Sequence, residues 1–405
     1  MYRQYAPSID PRTGVFGSLC LFAFLVNFAR VVYAPLLEPF RTSFGVSAGA
    51  VGLLATLVWI GSAAPRFPTG YLLTRVPRHR VVLLSGLLLA VSSFVVAAST
   101  SFRTLAAATV FVGVGSGVYF VAANPLIGQL FPLRVGRAIG IHGMANQVAA
   151  VIAPGVVTVA LAVHLAPFSP WRTIFVVMGA MALVSSVLFS IAVRRSSIDT
   201  TATPDLALRV AFRANWRLLL TGIAIVGFAG LVWTGVFNFY VTYLIETKGL
   251  RGDHARIALT VVFAAGIPAF WGAGILADRL PYLGLMFVIL AAFVISMVGL
   301  VAVSGFLAIL AISAILGFVI HCLFPVIDTY ILASLPDEHR GSGYAVFSGT
   351  MMPILAAGGV VVGVLVDAGF SFDAVFLGLA IATGVLTVFL VVLAVFGRLP
   401  TGTNR

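Results

Sequence analysis

Charge is scarce in this sequence. Only 9% of its 405 residues are Asp, Glu, Lys or Arg, against roughly 25% in an ordinary soluble domain. Lysine is nearly missing: Lys248 is the only one, and no G-x-x-x-x-G-K-[ST] loop surrounds it, so ATP-binding machinery of that kind is excluded. No H-E-x-x-H and no facing pair of carboxylates occurs, which argues against an integral-membrane enzyme. The longest polar stretch, Arg194 to Arg217, is too short to be a receptor's soluble domain. Cysteine is limited to Cys20 and Cys322, both inside apolar runs, so a disulfide framework is not indicated. No cofactor is expected.

Apolar residues are what the chain has instead. They make up 61% of it, and the mean hydropathy is +1.12. A soluble core cannot hide that much apolar surface. Lipid is therefore the expected solvent for most of the chain. Spans need roughly 20 apolar residues each, and breaks at charge, Pro and Gly divide the sequence into twelve runs: 14–37, 48–70, 81–99, 104–130, 138–163, 172–193, 217–245, 256–277, 282–303, 305–333, 341–366 and 373–397. Helices are expected throughout, because lipid offers the backbone no other partner. The first run is too long for a cleaved secretory segment and carries Arg30, so it reads as a membrane helix.

The net charge of +12 resides mostly in short loops. Sixteen of the 24 basic residues fall on one side, and only Arg41, Arg103, Arg172, Lys248, Arg251 and Arg256 on the other, which predicts both termini in the cytoplasm of a cell-membrane protein. Anionic headgroups, not nucleic acid, are the expected partners of these arginines. The polar stretch after Arg194 separates two six-helix halves: 1–197, a cytoplasmic linker 198–214 with a helical end near 206–214, and 215–405.

The halves echo one another at an offset of 204 residues. Gly70-Tyr-Leu-Leu-Thr74-Arg75-Val-Pro matches Gly274-Ile-Leu-Ala-Asp278-Arg279-Leu-Pro, and Arg137-Ala-Ile-Gly140 follows Phe131-Pro as Arg340-Gly-Ser-Gly343 follows Leu335-Pro. Internal repeats of this kind mark secondary transporters. On these residues the chain resembles the major facilitator superfamily. Gly274, Leu276, Asp278 and Arg279 fit that family's G-x-L-A-D-R-x-G-R-R loop. Gly70, Leu72, Arg75, Arg78 and Arg80 fit its first-half copy, with Thr74 where the family has Asp. The resemblance implies twelve helices in two bundles, a monomer, alternating access, and a small solute, with protons as a further partner. Thr109 stands where drug/proton antiporters carry an arginine, and Ala153-Pro154-Gly155 only partly matches their helix-5 motif, so efflux antiport is the alternative reading.

Ionisable groups inside spans cost about 2.5–3.5 kcal/mol each on insertion scales, so each calls for a reason. Arg30 lies sixteen residues into the first run, about 24 Å from its inner end. It reads either as a fixed charge for an anionic solute or as an ion-pair partner of Glu38 or a neighbouring carbonyl. Arg66, in Arg66-Phe67-Pro68-Thr69-Gly70, resembles the anion-facing arginine of nitrate/nitrite porters in the superfamily, although its second-half counterpart is Phe270 where those porters have a second arginine. Asp328 and His321, in the tenth run, are candidates for proton coupling or gating, with Asn124 as the first-half counterpart of Asp328. Asp278, Arg279 and Arg75 are gating candidates through the loop motif. Trp59, Tyr119, Asn146, Trp233 and Asn238 are candidates to line a cavity, and Asn27, Tyr33, Gln147 and Tyr240 are softer ones. GxxxG spacing at Gly113/Gly117 and Gly359/Gly363 predicts close helix packing.

Overall fold

The computed structural model describes residues 11–46, 48–162, 169–196 and 207–402. Arg3, Arg405 and most of the expected linker lie outside the described residues. Every regular element among the described residues is helical. The helices are α1 (Pro11–Val31), α2 (Tyr33–Phe44), α3 (Ala48–Ala63), α4 (Arg66–Leu73), α5 (Arg78–Ala98), α6 (Phe102–Leu130), α7 (Val135–Ala162) and α8 (Pro170–Arg195). They continue as α9 (Leu208–Gly222), α10 (Phe228–Glu246), α11 (Gly252–Ala277), α12 (Tyr282–Ala302), α13 (Phe306–Ser334), α14 (Asp337–Asp367) and α15 (Phe372–Val395). A π-helical turn, Ile223–Gly227, joins α9 to α10.

Among the described residues, eleven stretches are helical, long and apolar enough to cross a membrane. The expected span 48–70 is not among them, because it is divided into α3 and α4. Proline is the cause. Pro65 and Pro68 have no N–H to donate to the carbonyls of Gly61 and Ala64, so the helical ladder loses two bonds around the break at 64–65. Pro35 similarly leaves the carbonyl of Val31 without its partner and separates α1 from α2, although Val32 N still donates to Phe28 O at 2.9 Å. The linker's helical end forms as expected, and the chain is helical from Leu208 through Glu246. A kink at Asn215 (φ −125°, ψ 19°) interrupts it. There the Asn215 amide donates to Ala211 O at 3.0 Å and lies 2.8 Å from His339 Nδ1.

The chain forms two compact units. The first comprises 1–130 and 152–204, the second 131–151 and 205–405. The first part of α7 thus clusters with the later half of the chain. In the first unit α6 packs against α3 and α5, and α8 against α5 and α1. The α3–α6 seam relies on missing side chains. A Cβ on Gly113 would overlap Val58 O, one on Gly61 would overlap Val110 O, and one on Gly117 would overlap Ser62 O. The expectation for Gly113/Gly117 therefore holds. In the second unit α13 packs on α11 and α12, and α10 on α14. There the tight approach is at Gly358, whose Cβ would overlap Leu231 O, whereas a Cβ at Gly363 would meet Phe239 at an ordinary 3.5 Å. Gly358 and the expected Gly359, whose Cβ would overlap the Asn238 amide, carry that seam, and the expected Gly363 does not.

Large apolar side chains cover the outside of both units. Val91, Val184 and Val187 in the first, and Val288, Ile295, Ile381, Val385 and Val388 in the second, are each more than half exposed. Surface of this extent and chemistry is stable against lipid, not water.

Candidate substrate-binding site

Arg30 occupies the last turn of α1. Asn27 sits one turn earlier on the same face, and its Oδ1 accepts from Arg30 Nη2 at 2.6 Å. Two aromatic rings flank the guanidinium. Its Cζ lies 4.8 Å from the centroid of Trp59 on α3 and 5.1 Å from that of Phe120 on α6. Such contacts contribute about 0.5–2 kcal/mol each. The Nε atom is buried with no hydrogen-bond partner, and no carboxylate among the described residues pairs with the group. The side chain of Glu38 lies outside the described residues.

Arg66 is buried, at 5% exposure, as the first residue of α4. Its charge and that of Arg30 repel one another. A cation at a helix start also opposes the helix dipole. The proline-induced break therefore adds a second interior positive charge at a helix start. The first unit holds two interior guanidinium groups, two rings and one neutral acceptor around the nearer group. An anion entering this region would relieve the repulsion and meet charge-assisted donors.

The other first-unit candidates have structural partners. The Tyr119 hydroxyl donates to Leu19 O at 2.5 Å and its ring packs on Phe22. Asn124 is buried on α6. Arg75 turns back on its own helix end, where it donates to the Tyr71 hydroxyl and stacks over that ring at 4.6 Å.

The two copies of the loop motif behave differently. Thr74 Oγ1 donates to Tyr71 O at 2.7 Å, within its own turn. Asp278, at the matching position after α11, reaches across to α7 and accepts from the amides of Gly136 at 2.7 Å and Arg137 at 2.8 Å. These are first-turn donors that α7 cannot satisfy itself. Burial pushes the Asp278 carboxyl above the ordinary carboxylate range, while the two amides and the charges of Arg134 and Arg137 pull it down. Two glycines allow the approach, since a Cβ on Gly140 would overlap Phe270 O and one on Gly274 would overlap Gly136 O. Arg279 is exposed beside it. Replacing Asp278 with alanine should cost about 0.5–2 kcal/mol, the usual loss for a removed helix cap. Thermal unfolding in detergent will measure it, with Thr74→Ala expected to change little.

In the second unit Trp233 packs edge-on against His321 at 5.6 Å, and Phe263, Phe270 and Phe324 complete the surround. Asn146 lies half-buried on α7. Asn238 is exposed, with its amide against Gly359 of α14. Asp328 Oδ1 accepts from the Tyr344 hydroxyl at 3.1 Å. Sequence reasoning missed Phe120, one of 32 phenylalanines with no distinguishing signal. It also missed Gly61 and Gly266, whose significance is only the space they leave.

The sequence profile of the Major Facilitator Superfamily matches residues 19–320 and again 272–404. The chain is 24% identical over 398 residues to a probable sulfoacetate transporter of Cupriavidus necator, covering 91% of this chain and 90% of that one. It is 22% identical over 321 residues to a cis,cis-muconate transport protein of Acinetobacter baylyi, covering 76% of each. Among solved structures it superposes on the proton:xylose symporter XylE with a TM-score of 0.76 at 14% identity, covering 94% of this chain and 95% of that one. It superposes on the Escherichia coli fucose:proton symporter FucP with a TM-score of 0.75 at 16% identity, covering 92% and 97%. Both pairs are similar in fold. Helices of spanning length, an internally repeated sequence and a profile match over nearly the whole chain lead to one conclusion: the protein belongs to the Major Facilitator Superfamily, as a multi-pass membrane transporter and not an enzyme.

Proposed function

We propose that this protein is a secondary active transporter of a small organic anion, a carboxylate or sulfonate. The observation that carries the reading is the Arg30 guanidinium, flanked by Trp59 and Phe120, given one neutral acceptor, and repelled by Arg66. A buried charge without a counter-charge is expensive, and a substrate that supplies the counter-charge converts that cost into affinity. The named cargoes of the two curated relatives, sulfoacetate and muconate, are small organic anions and point the same way.

The halves 1–197 and 215–405 work by alternating access as a monomer, joined by the 198–214 linker. The protein resides in the cell membrane, and the one-sided distribution of loop arginines supports cytoplasmic termini. Transport is coupled to protons, with Asp328 as carrier. A carboxylate within α13 whose Oδ1 accepts from the Tyr344 hydroxyl is suited to gain and lose a proton during a cycle.

Proteoliposomes with an imposed pH gradient test this directly. Labelled short-chain carboxylates and sulfonates should accumulate, while sugars and organic cations should not. Uptake restricted to cations, or their export, would overturn the reading in favour of efflux antiport. Asp328→Asn should remove pH-driven accumulation yet retain exchange of internal for external anion. Unchanged accumulation would remove Asp328 from the coupling step.

A further inference from the structure

Two polar side chains in the second unit converge on one glycine. Gln147, on the part of α7 that approaches α11, is 8% exposed, and its amide Nε2 has no hydrogen-bond partner among the described residues. That nitrogen lies so close to Gly266 of α11 that a Cβ there would collide with it. The same Cβ would stand 3.0 Å from Cγ of His321 on α13. Gly266 thus lets the amide and the imidazole lie side by side within the rings of Trp233, Phe263, Phe270 and Phe324.

The hydrogen bonding of His321 fixes what is left over. Its Nδ1 is 2.6 Å from Gly317 O. A carbonyl oxygen only accepts, so Nδ1 carries the hydrogen of the neutral ring and Nε2 keeps a lone pair. No described residue donates to Nε2. The pair therefore offers an unused amide nitrogen with two N–H donors, from Gln147, and one unused acceptor, from His321. A buried donor left unsatisfied costs about 1–3 kcal/mol, and such a group calls for an occupant.

We propose that Gln147 and His321 form a hydroxyl-binding subsite within the second unit, so that the transported solute carries an alcohol group. The statement about the substrate rests on the anion reading above. An alcohol donates its hydrogen to His321 Nε2 and accepts from Gln147 Nε2, satisfying both with a single oxygen. A carboxylate cannot do this, because it has no hydrogen to give to a neutral imidazole. Within a surround of aromatic rings, hydrogen bonding is the source of discrimination.

Matched pairs of anions test the subsite: glycolate against acetate, lactate against propionate, and 2-hydroxyethanesulfonate against ethanesulfonate. Binding is read as ligand-induced thermal stabilisation of the purified full-length protein and as competition for uptake in proteoliposomes. The hydroxylated member should bind at least tenfold tighter in each pair. Gln147→Leu and His321→Phe, which keep volume, should reduce that preference to parity while leaving the affinity of the plain anion unchanged. Unfolding of each unliganded variant near the wild-type temperature establishes that the fold is intact. His321→Gln, which keeps an acceptor, should recover part of the preference.

Equal binding within each pair by wild-type protein overturns the subsite. So does a hydroxyl preference that survives both substitutions. Tighter binding of hydroxylated solutes that are uncharged, such as short polyols, with loss of that preference in Gln147→Leu, would retain the subsite and overturn the anion reading instead.

Discussion

Replacing Arg30 with glutamine is expected to lower anion uptake by at least about a hundredfold without lowering thermal stability. Removing one partner of a buried, hydrogen-bonded charge pair costs roughly 2–5 kcal/mol, and about 1.4 kcal/mol is a factor of ten. Glutamine keeps a donor for Asn27 Oδ1 and enough length to stay under Trp59 and Phe120. It removes a charge that no described carboxylate balances and that Arg66 repels, so the unliganded protein should melt at the same temperature or higher. Arg30→Lys should fall between the two, because it keeps the charge but loses the planar fork that grips a carboxylate or sulfonate with two hydrogen bonds. The measurement is initial uptake in proteoliposomes alongside melting temperature in detergent. Wild-type uptake by Arg30→Gln would refute the site. Loss of uptake together with a large fall in melting temperature would show that the guanidinium serves the fold.

The second large effect concerns a glycine. Gly113→Leu is expected to destabilise the protein by at least about 1–3 kcal/mol, the usual range for forced overpacking, and to abolish uptake with it. A Cβ at 113 overlaps Val58 O and stands 2.9 Å from Gly61 Cα, so backbone must yield, not a flexible side chain. The two helices it would separate carry Trp59 and Phe120, the rings on either side of Arg30. Gly155→Ala supplies the contrast: nothing lies within 4 Å of a Cβ there, and the protein should melt at the wild-type temperature or slightly above. A Gly113→Leu protein that folds and transports normally would contradict the close α3–α6 approach.

These two residues also show what the sequence reveals. Arg30 was legible because a charge inside an apolar run is anomalous on its face. Gly113 was legible as part of a GxxxG spacing, but its partner Gly61 was not, since a lone glycine in a strongly apolar helix carries no sign of what it faces. The same applies to Phe120: composition makes phenylalanine common, and only the packing of α6 against α3 gives this one a cation to cover. Span 48–70 misled for a different reason. Its apolarity satisfies the length criterion, and the prolines that divide it act on carbonyls four residues back, which hydropathy does not register. Thr74 in place of aspartate was visible in the repeat, and its consequence, a side chain bonded within its own turn while Asp278 bridges to α7, emerges only from the geometry.

The stack of Arg30 on Trp59 has a spectroscopic side. An indole whose near neighbour is a cation senses any guest that neutralises that cation, and this indole is also 45% exposed. The transporter therefore carries its own fluorophore at the charge it presents to cargo, and occupancy can be followed by emission without attaching a dye.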